Sequence, residues 1–505
     1  MARARRPICT IFSNMVKKLL QRGLLLLLVF GVVWILVLIW WHQTHRMPTG
    51  TDIALYLAAL PSAVVAAYVI LRGTLGGIYT ALAAPKMQTT TDPQPQSDTP
   101  PPPAADGRFK ARLLHASVRC GLGNSTHQIA QALAANQRAA IDPDLHDLNG
   151  FPVYAARVTE LDQTRVNTLR VTLHEFDPSI TWRDENVRTL ALLDGVLKET
   201  FDAIGAHAAT QPQLHAVRHR PRRMRAVILI PTRWDEPTRA TVERWLNSQS
   251  IEHKTPHQAI YRVMANTAPQ AAFAEVDNTI AALNNHDALD PDDFHIVAAA
   301  QSDLDGELVA HYDQSGILFT GARQHAAVLG EAAAALVLQP VEPALAASAP
   351  AQEATESPTP TSAPAPTEVH LARASFGQLA LPISGSGRAA PETLERIGQN
   401  ALAAAPLKAE QIQALYADAG SHATRAHELT QFSSQRFPAL TPLLDCLPLD
   451  GGCGVTGAAG ALLTIAMAAH HVAQTNTAAF AVTLADPSER AALIVLPGTQ
   501  VFTET

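Results

Sequence analysis

Two clusters of side chains near the C-terminus have residue types that could do chemistry. Cys446 and Cys453 lie seven residues apart, and two thiols without further ligands make a poor zinc site. His422, His427 and Glu428 follow one another closely, but a spacing of five does not place two histidines on one helix face. We therefore expect this second cluster to form a solvated loop or helix start rather than a metal site.

Motifs for nucleotide binding or hydrolytic catalysis are absent from the sequence. The turn Gly121-Leu-Gly123 is half of a dinucleotide-binding fingerprint, but it lacks the third glycine and the acidic residue about twenty positions further on. The chain has no P-loop, no HExxH motif and no GxSxG turn. We therefore expect neither a cofactor nor a metal ion.

A glycine-rich run at residues 450–460 (DGGCGVTGAAG) leads directly into the apolar stretch 461–467. It resembles the glycine-rich turn before a buried helix in the thiolase and β-ketoacyl synthase superfamily, where the pattern reads Gly-His-x-x-Gly-Ala-Ala-Gly. In that family the histidine stabilises the transition state of a carbon–carbon condensation. When the runs are aligned on 457–460, the Gly-His pair falls on Cys453 and Gly454, so the histidine is replaced.

Further segments resemble the same superfamily, in the same order along the chain. They match the opening strand, glycine turn and helix, the segment that follows, the buried strand after the nucleophile helix, the segment Val-x-Gly-Glu-Gly-Ala-Gly-Ala-Leu-Val-Leu-Glu, and the helix before the second catalytic loop. In this sequence these are residues 113–133, 148–157, 294–300, 321–339 and 390–415. The resemblance covers about 108–500 and implies an α/β, thiolase-like (β-ketoacyl synthase-like) body of two similar layered halves.

On this alignment the three catalytic positions of the superfamily carry no catalytic side chain. The nucleophilic cysteine falls near Pro269, the first histidine on Ala419 and the second on Gly454. No cysteine occurs between Cys120 and Cys446. A nucleophile and its partners act as a unit, so the resemblance implies that condensation is abolished rather than weakened. We therefore expect that the protein is not an enzyme.

Proline-rich segments divide the chain. Residues 87–107 are rich in Pro, Thr and Asp and predict a semi-stiff spacer. A Pro/Ala-rich linker at 341–370 separates an N-terminal half, 108–340, from a C-terminal half, 371–505. Such an excursion between halves is tolerated when it runs over the surface.

Between these landmarks the coarse pattern is that of an α/β protein. Residues 226–230 and 296–300 are short apolar runs that predict buried strands. Residues 238–246 predict a helix, and 491–496 predict a last strand.

The first part of the chain, residues 1–86, predicts a membrane hairpin of two transmembrane helices. Residues 23–41 are uncharged, long enough to span a bilayer, and end in a Trp pair typical of the membrane interface. Residues 53–71 form a second apolar run whose Pro61 a membrane helix tolerates. A cleaved signal peptide is disfavoured, because the first run is long and no small-residue cleavage site follows it.

Charge and cysteine usage predict the location of the protein. Six Lys and Arg residues precede the first span, whereas the loop between the spans contains only Arg46. The positive-inside rule therefore places both ends in the cytoplasm, and four cysteines without disulfide-like spacing fit a reducing compartment. We expect a multi-pass protein of a bacterial inner membrane with a cytoplasmic body, whose net charge of −7 disfavours nucleic acid as a partner.

The basic run at residues 218–225 (RHRPRRMR) is the sharpest charge feature of the chain. The simpler interpretation is a solvated loop before the strand that starts near Ala226. The alternative is a basic patch for anionic lipid headgroups or for an acidic partner.

Three functional hypotheses follow. A catalytically inactive thiolase-like body behind a membrane hairpin resembles the adapter family of type VI secretion lipase effectors. This implies that it binds a lipase effector and delivers it to the spike protein of the secretion machine. Alternatively, the chain is an inactive ketosynthase-like subunit that pairs with an active ketosynthase and an acyl carrier protein in fatty-acid or polyketide synthesis. The resemblance also allows a homodimer, as thiolases usually form.

The third hypothesis is an enzyme whose chemistry has moved to other residues. His422, three positions beyond Ala419, together with Glu428 or Cys453, would have to supply that chemistry. The sequence places no activated nucleophile next to a base, which argues against this hypothesis.

Overall fold

The computed structural model describes residues 109–210, 223–252, 258–285, 293–341, 367–383, 391–419, 422–442 and 444–498. Strands and helices alternate along these ranges, as an α/β protein requires. The strands are β1 (Lys110–Cys120), β2 (Ala140–His146), β3 (Pro152–Ala156), β4 (Arg223–Ile230), β5 (Gln258–Ala265), β6 (Phe294–Ser302), β7 (Leu329–Pro340), β8 (Val369–Ala372), β9 (Ser375–Gln378), β10 (Ile412–Ala417), β11 (Cys446–Pro448), β12 (Ala478–Thr483) and β13 (Glu489–Pro497). The helices are α1 (Thr126–Ala134), α2 (Gln163–Phe176), α3 (Asp184–Thr210), α4 (Glu236–Glu252), α5 (Pro269–Asn284), α6 (Gly306–Gln314), α7 (Glu392–Ala404), α8 (Ala423–Arg436), α9 (Asp450–Cys453) and α10 (Gly457–Thr475).

The elements predicted from the coarse pattern are present and longer than predicted. Strands β4, β6 and β13 contain the three predicted strands, and α4 contains the predicted helix. The segment 390–415 differs, because only its first part is helical. Helix α7 ends at Ala404, Pro406 follows, and β10 begins at Ile412. Proline disfavours helical continuation, which explains why helix α7 ends before Pro406 and does not extend to residue 415.

The body consists of two halves with the same strand topology. In space the N-terminal strands lie in the order β1-β7-β6-β4-β5, and the C-terminal strands in the order β8-β13-β12-β10-β11. In each half β4 or β10 runs parallel to both of its neighbours, and the other pairings along these two strand orders are antiparallel. Antiparallel pairing of β1 with β8, from Lys110↔Ala372 to Leu113↔Val369, joins the two halves into one sheet.

Helices α5 and α10 occupy equivalent positions in the two halves and pack against each other in the interior. Helix α5 follows β5, and α10 follows β11 and the short helix α9. The inner faces of β7 and β13 contribute alternate residues to the core around these helices. The intervening residues of the same strands face the outer helices: α2, α3 and α4 in one half, α7 and α8 in the other.

Because alternate residues of β7 and β13 face the inner and the outer helices, helices cover both faces of the sheet in each half. Strand β6 is buried at every position, as is β7 apart from its last two residues. Near-continuous apolar strands of this kind are typical of sheets enclosed between helices. The result is the layered two-half α/β body predicted from the sequence.

The predicted membrane hairpin, residues 1–86, lies outside the described residues, as do the spacer 87–107 and most of the linker 341–370. Within the described ranges, no helix combines the length and apolar character needed to cross a bilayer. The hairpin and the domain boundaries stay predictions.

The backbone of β7 closely approaches the segment before α10. A side chain added at this contact should therefore destabilise the protein. A Cβ atom at Gly330 would lie 2.2 Å from the carbonyl oxygen of Cys453, so Gly330→Ala forces a backbone shift. We expect this substitution to lower the free energy of unfolding by about 1–3 kcal/mol. Denaturant unfolding measures the effect, and Gly306→Ala is the control, because a Cβ there meets no atom within 4 Å. Equal unfolding midpoints for the two variants would contradict the close contact.

Candidate functional site

Pro269, near which the sequence resemblance assigns the family nucleophile, is the first residue of α5. After β5 the chain turns through 266–268, where the backbone N–H of Ala268 donates to Oδ1 of Asn266 at 3.0 Å. Pro269 then opens the helix and is buried, without a side-chain cap on the preceding residue. Proline suits this position, because its fixed φ is helical and its missing N–H would be unpaired anyway. The helix start is retained, but its side chain has no nucleophilic atom.

Gly454, to which the sequence resemblance assigns the second family histidine, lies against the backbone of β7. Gly454 has φ +67°, and a Cβ there would lie 2.7 Å from the carbonyl oxygen of Leu329. The N–H of Val455 donates to the carbonyl oxygen of Val328 at 2.9 Å, which holds the two segments together. No side chain fits at Gly454 unless the backbone moves.

Ala419, to which the sequence resemblance assigns the first family histidine, is buried just beyond the carboxyl end of β10. Its neighbour Asp418 is also buried and accepts hydrogen bonds from the N–H of Leu484 at 2.7 Å and the hydroxyl of Thr483 at 2.7 Å. Burial raises the pKa of Asp418 to about 6 even though these hydrogen bonds favour the ionised form. Asp418 therefore fixes the β12–β13 connection to the end of β10.

The three family positions lie in one region, where α5 and α10 begin. A Cβ at Gly457, the first residue of α10, would lie 2.5 Å from the carbonyl oxygen of Thr267, two residues before α5. The N–H of Leu449 donates to the carbonyl oxygen of Ala417 at 2.9 Å and brings the segment before α10 to the end of β10. The carboxyl ends of parallel strands meet here, which is the usual place for a ligand in an open α/β sheet.

Two glutamine side chains lie in this region and carry buried carbonyl oxygens without a hydrogen-bond partner, Gln270 and Gln301. The amide nitrogen of Gln301 donates to both carboxylate oxygens of Asp303, at 3.1 and 3.0 Å. Its Oε1 lies 2.5 Å from the Cβ position of Gly457. Burial raises the pKa of Asp303, although Arg233 and the Tyr312 hydroxyl contact its oxygens. The polar side chains of this region are therefore two amides, Gln270 and Gln301, and one hydrogen-bonded carboxyl group, Asp303.

A groove of about 360 Å³ opens beside Gln270 at the start of α5. Its walls come from α5, β9, α7 and β13, and they mix amide, charged and aromatic side chains. The lining residues are Gln270, Phe376, Gly377, Gln378, Arg396, Glu489 and Arg490.

His422, His427 and Glu428 are predicted to form a solvated loop or helix start; they lie at the start of helix α8, but Glu428 is not solvated. Glu428 lies on α8 and is fully buried, and its two oxygens accept from Nε and Nη2 of Arg490 at 3.1 and 2.9 Å. His422 precedes α8, and its Nδ1 is buried without a hydrogen-bond partner. Burial, followed by the nearby charge of Arg425, lowers its pKa. The sequence could not identify the ion pair, because its members are 62 residues apart.

The two C-terminal thiols do not pair with each other. Cys446 lies in β11, whereas Cys453 ends α9 and contacts Cys120, with 3.2 Å between the sulfur atoms. Sequence reasoning missed this contact, because the two cysteines come from different halves. Within the described ranges no group of three or more His, Cys, Asp or Glu residues could hold a metal ion.

The basic run 218–225 is described only from Arg223 onward, where it forms the start of β4. Asp293 accepts a hydrogen bond from the backbone N–H of Arg223 at 2.9 Å and an ion-pair contact from Nε of Arg225 at 3.0 Å. Arg223 and Arg225 therefore connect the start of β4 to Asp293. The rest of the run lies outside the described residues.

Comparison with known proteins identifies the fold. No protein-family description matches the sequence, and no curated protein matches it. The structure resembles the ishigamide ketosynthase/chain length factor, with a TM-score of 0.50, 14% identity, and coverage of 77% of this chain and 99% of that one. It also resembles the ketosynthase from module 6 of the bacillaene synthase of Bacillus subtilis 168, with a TM-score of 0.50, 12% identity, and coverage of 78% and 73%.

These similarities show a ketosynthase-like, thiolase-like fold, as the sequence predicted. At such low identity they carry no activity or partner over to this chain. The relationship to secretion adapters and the absence of catalysis stay predictions.

Breaking the buried ion pair of α8 should be strongly destabilising. Glu428→Gln removes the counter-charge of Arg490, and both side chains are fully buried. We expect a loss of about 3–5 kcal/mol in the free energy of unfolding. The control Glu392→Gln, in the exposed first turn of α7, should change it by less than about 1 kcal/mol. Similar losses from both substitutions in urea unfolding would show that the buried pair contributes little.

Asp418 should make stability depend on pH in the acidic range. Because its folded-state pKa, about 6, lies above the ordinary value of 3.8, the folded protein holds this proton more tightly. The carboxyl group therefore favours folding at low pH, and this contribution is lost as the pH rises from 4 through 6, by about 2–3 kcal/mol. The difference in unfolding free energy between Asp418→Asn and wild type, measured across this range, should vary by that amount. Asp202→Asn, at an exposed site on α3, should give a flat difference. A flat difference for Asp418→Asn would contradict the raised pKa.

Proposed function

We propose that this protein is a catalytically inactive ketosynthase-like subunit that pairs with an active ketosynthase in fatty-acid or polyketide synthesis. The main support combines the fold with the sequence. The body has the two central helices, and the sequence resemblance assigns Pro269, Ala419 and Gly454 to the three catalytic positions of the superfamily. A fold kept without its reactive groups can still bind a partner. The likeness to a solved ketosynthase/chain length factor supports this role.

Restoring the chemistry would require more than side-chain replacement. Pro269 offers no thiolate to the helix start, where the macrodipole would stabilise one. At Gly454 the backbone of β7 occupies the space that a histidine needs. The region is therefore built as a packed junction, which favours a binding role over a catalytic one.

Strand β5 provides a surface on which a second sheet could pair. It pairs with β4 along its full length, from Arg223↔Gln258 to Ile230↔Ala265, and no described strand lies on its other side. An edge strand of this kind can extend its sheet by pairing with another chain. Ile260 on this strand is 40% exposed, which adds apolar surface for an interface.

The β5 edge also lies close to the former catalytic region. Three residues, 266–268, separate the end of β5 at Ala265 from Pro269 at the start of α5. Beside the edge, α4 and Val263 line a groove of about 310 Å³ with charges of both signs. A partner that pairs with β5 would therefore contact the turn before α5, and an inactive subunit could shape the partner's site from there.

The secretion adapter is the second candidate, favoured by the two apolar runs 23–41 and 53–71 and the proline-rich spacer after them. A subunit of a soluble synthase has no need of a membrane anchor. In this role the body would hold a lipase effector at the cytoplasmic face of the inner membrane and present it to the spike protein. The β5 edge would serve the same binding purpose for a different partner.

Affinity purification of the tagged full-length protein from native membranes, followed by mass spectrometry, separates the two roles. Recovery of a ketosynthase or an acyl carrier protein supports the subunit, whereas recovery of a phospholipase or spike component supports the adapter. Condensing activity of the purified full-length protein with acyl and malonyl carrier proteins would contradict both.

The β5 edge can be tested in the same purification. Ile260→Asp places a charge in the proposed interface, and we expect at least about tenfold less of the recovered partner, equivalent to roughly 1.4 kcal/mol. Val171→Asp, at an exposed apolar site on α2, is the matched control and should leave recovery unchanged. Equal recovery with both variants would place the interface elsewhere.

A further inference from the structure

Two buried thiols meet where the N-terminal half touches the segment before α10. Cys120 is the last residue of β1, and Cys453 is the last residue of α9. Their sulfur atoms are 3.2 Å apart, and each residue is only 1% exposed. The contact joins positions 333 residues apart in the sequence. It is therefore a tertiary feature of the junction between the halves.

The surroundings of the two sulfur atoms are unequal. The thiol of Cys453 donates a hydrogen bond to the sulfur of Cys120, which also accepts from the backbone N–H groups of Leu122 and Gly123. Burial alone would raise the pKa of Cys120, but these three donors outweigh it and lower the pKa. The pKa of Cys453 is raised, first because its proton is engaged by Cys120 and then by burial. Of the two thiols, Cys120 is therefore the one that ionises more readily.

The distance between the sulfur atoms favours a covalent bond over a shared metal ion. Two thiolates on one tetrahedral zinc ion, with bonds of about 2.3 Å, lie about 3.8 Å apart. A disulfide requires about 2.05 Å, so the sulfur atoms need to approach by about 1 Å. The described part of the chain also offers no third ligand group at this place.

We propose that Cys120 and Cys453 form a reversible disulfide, with hydrogen peroxide as the oxidant, that covalently joins the two halves of the body. Peroxide is scarcely larger than water, and the turn 121–123 that covers Cys120 is partly exposed at Gly121 and Gly123. This modification site is independent of the function proposed above.

The reaction balances in two steps. The Cys120 thiolate attacks one peroxide oxygen, so that an S–O bond forms, the O–O bond breaks, and hydroxide leaves and takes up a proton. The sulfur of Cys453 then attacks the sulfenic acid, so that the S–S bond forms, the S–O bond breaks, and water leaves with the Cys453 proton. Two thiols are oxidised by two electrons and one peroxide is reduced to two waters. A small dithiol reverses the bond by thiol–disulfide exchange.

The disulfide would fix the segment before α10 to the end of β1. Closing a loop of this length restricts the unfolded chain strongly, and the bond lies beside the close contact between Gly330 and Cys453. Disulfides in reducing compartments are usually transient and often act as redox sensors. The oxidised body is therefore expected to be the more rigid of the two forms.

The test uses the full-length protein, exposed to hydrogen peroxide, denatured in iodoacetamide and analysed by peptide mass spectrometry. We expect a cross-linked peptide pair that contains Cys120 and Cys453, with the loss of two hydrogens, which disappears after dithiothreitol. Free thiols at both positions, a sulfinic acid at Cys120, or bonds from either residue to Cys9 or Cys446 would overturn the proposal.

Matched variants provide the second readout. Oxidation should raise the Tm of the wild type by at least about 5 °C. It should do the same for Cys446→Ser, since Cys446 lies in β11 and outside the pair. It should leave the Tm of Cys453→Ser unchanged. Should Cys453→Ser fail to fold, the peptide mapping of the wild type decides alone. A Tm rise in folded Cys453→Ser equal to that of wild type would contradict the pair as the cause.

Discussion

The packing of α5 against α10 between two sheets is the constraint on which the rest of this structure depends. Both helices are enclosed by β-strand faces, and α10 is buried over nearly all of its first sixteen residues. Alanine and glycine dominate that segment, so the helix can lie close to its neighbours. Close packing leaves few voids, and shifts at one helix are felt by the other. The starts of both helices are therefore held in fixed relation.

That fixed relation brings backbone and side chains close together where α5 and α10 begin. Gly454 rests on the backbone of β7, and Gln301 extends toward Gly457. Asp418 ties the end of β10 to the β12–β13 connection. Hydrogen bonds and close backbone contacts therefore hold this junction together.

The sequence predicts the fold well, because the fold depends on patterns that local sequence carries. The apolar runs of β6 and β7 and the glycine-rich turn before α10 each give a local signal, and their order defines the two halves. The contacts of single residues were harder to predict from the sequence. Glu428 appeared solvated, yet it pairs with Arg490 in the interior. The contact of Cys120 with Cys453 joins distant positions. Such pairings depend on how strands and helices are stacked, which local periodicity does not encode.

A rigid junction and an open edge together form a physical basis for a binding protein. The core holds β5 in place through its full pairing with β4, so the backbone groups of the free edge are already arranged for a partner. Preorganisation reduces the conformational entropy lost on binding. The close approach of Gly457 to the carbonyl oxygen of Thr267 supports the turn next to that edge. In this fold, a close-packed junction and a stable edge strand are therefore parts of one arrangement.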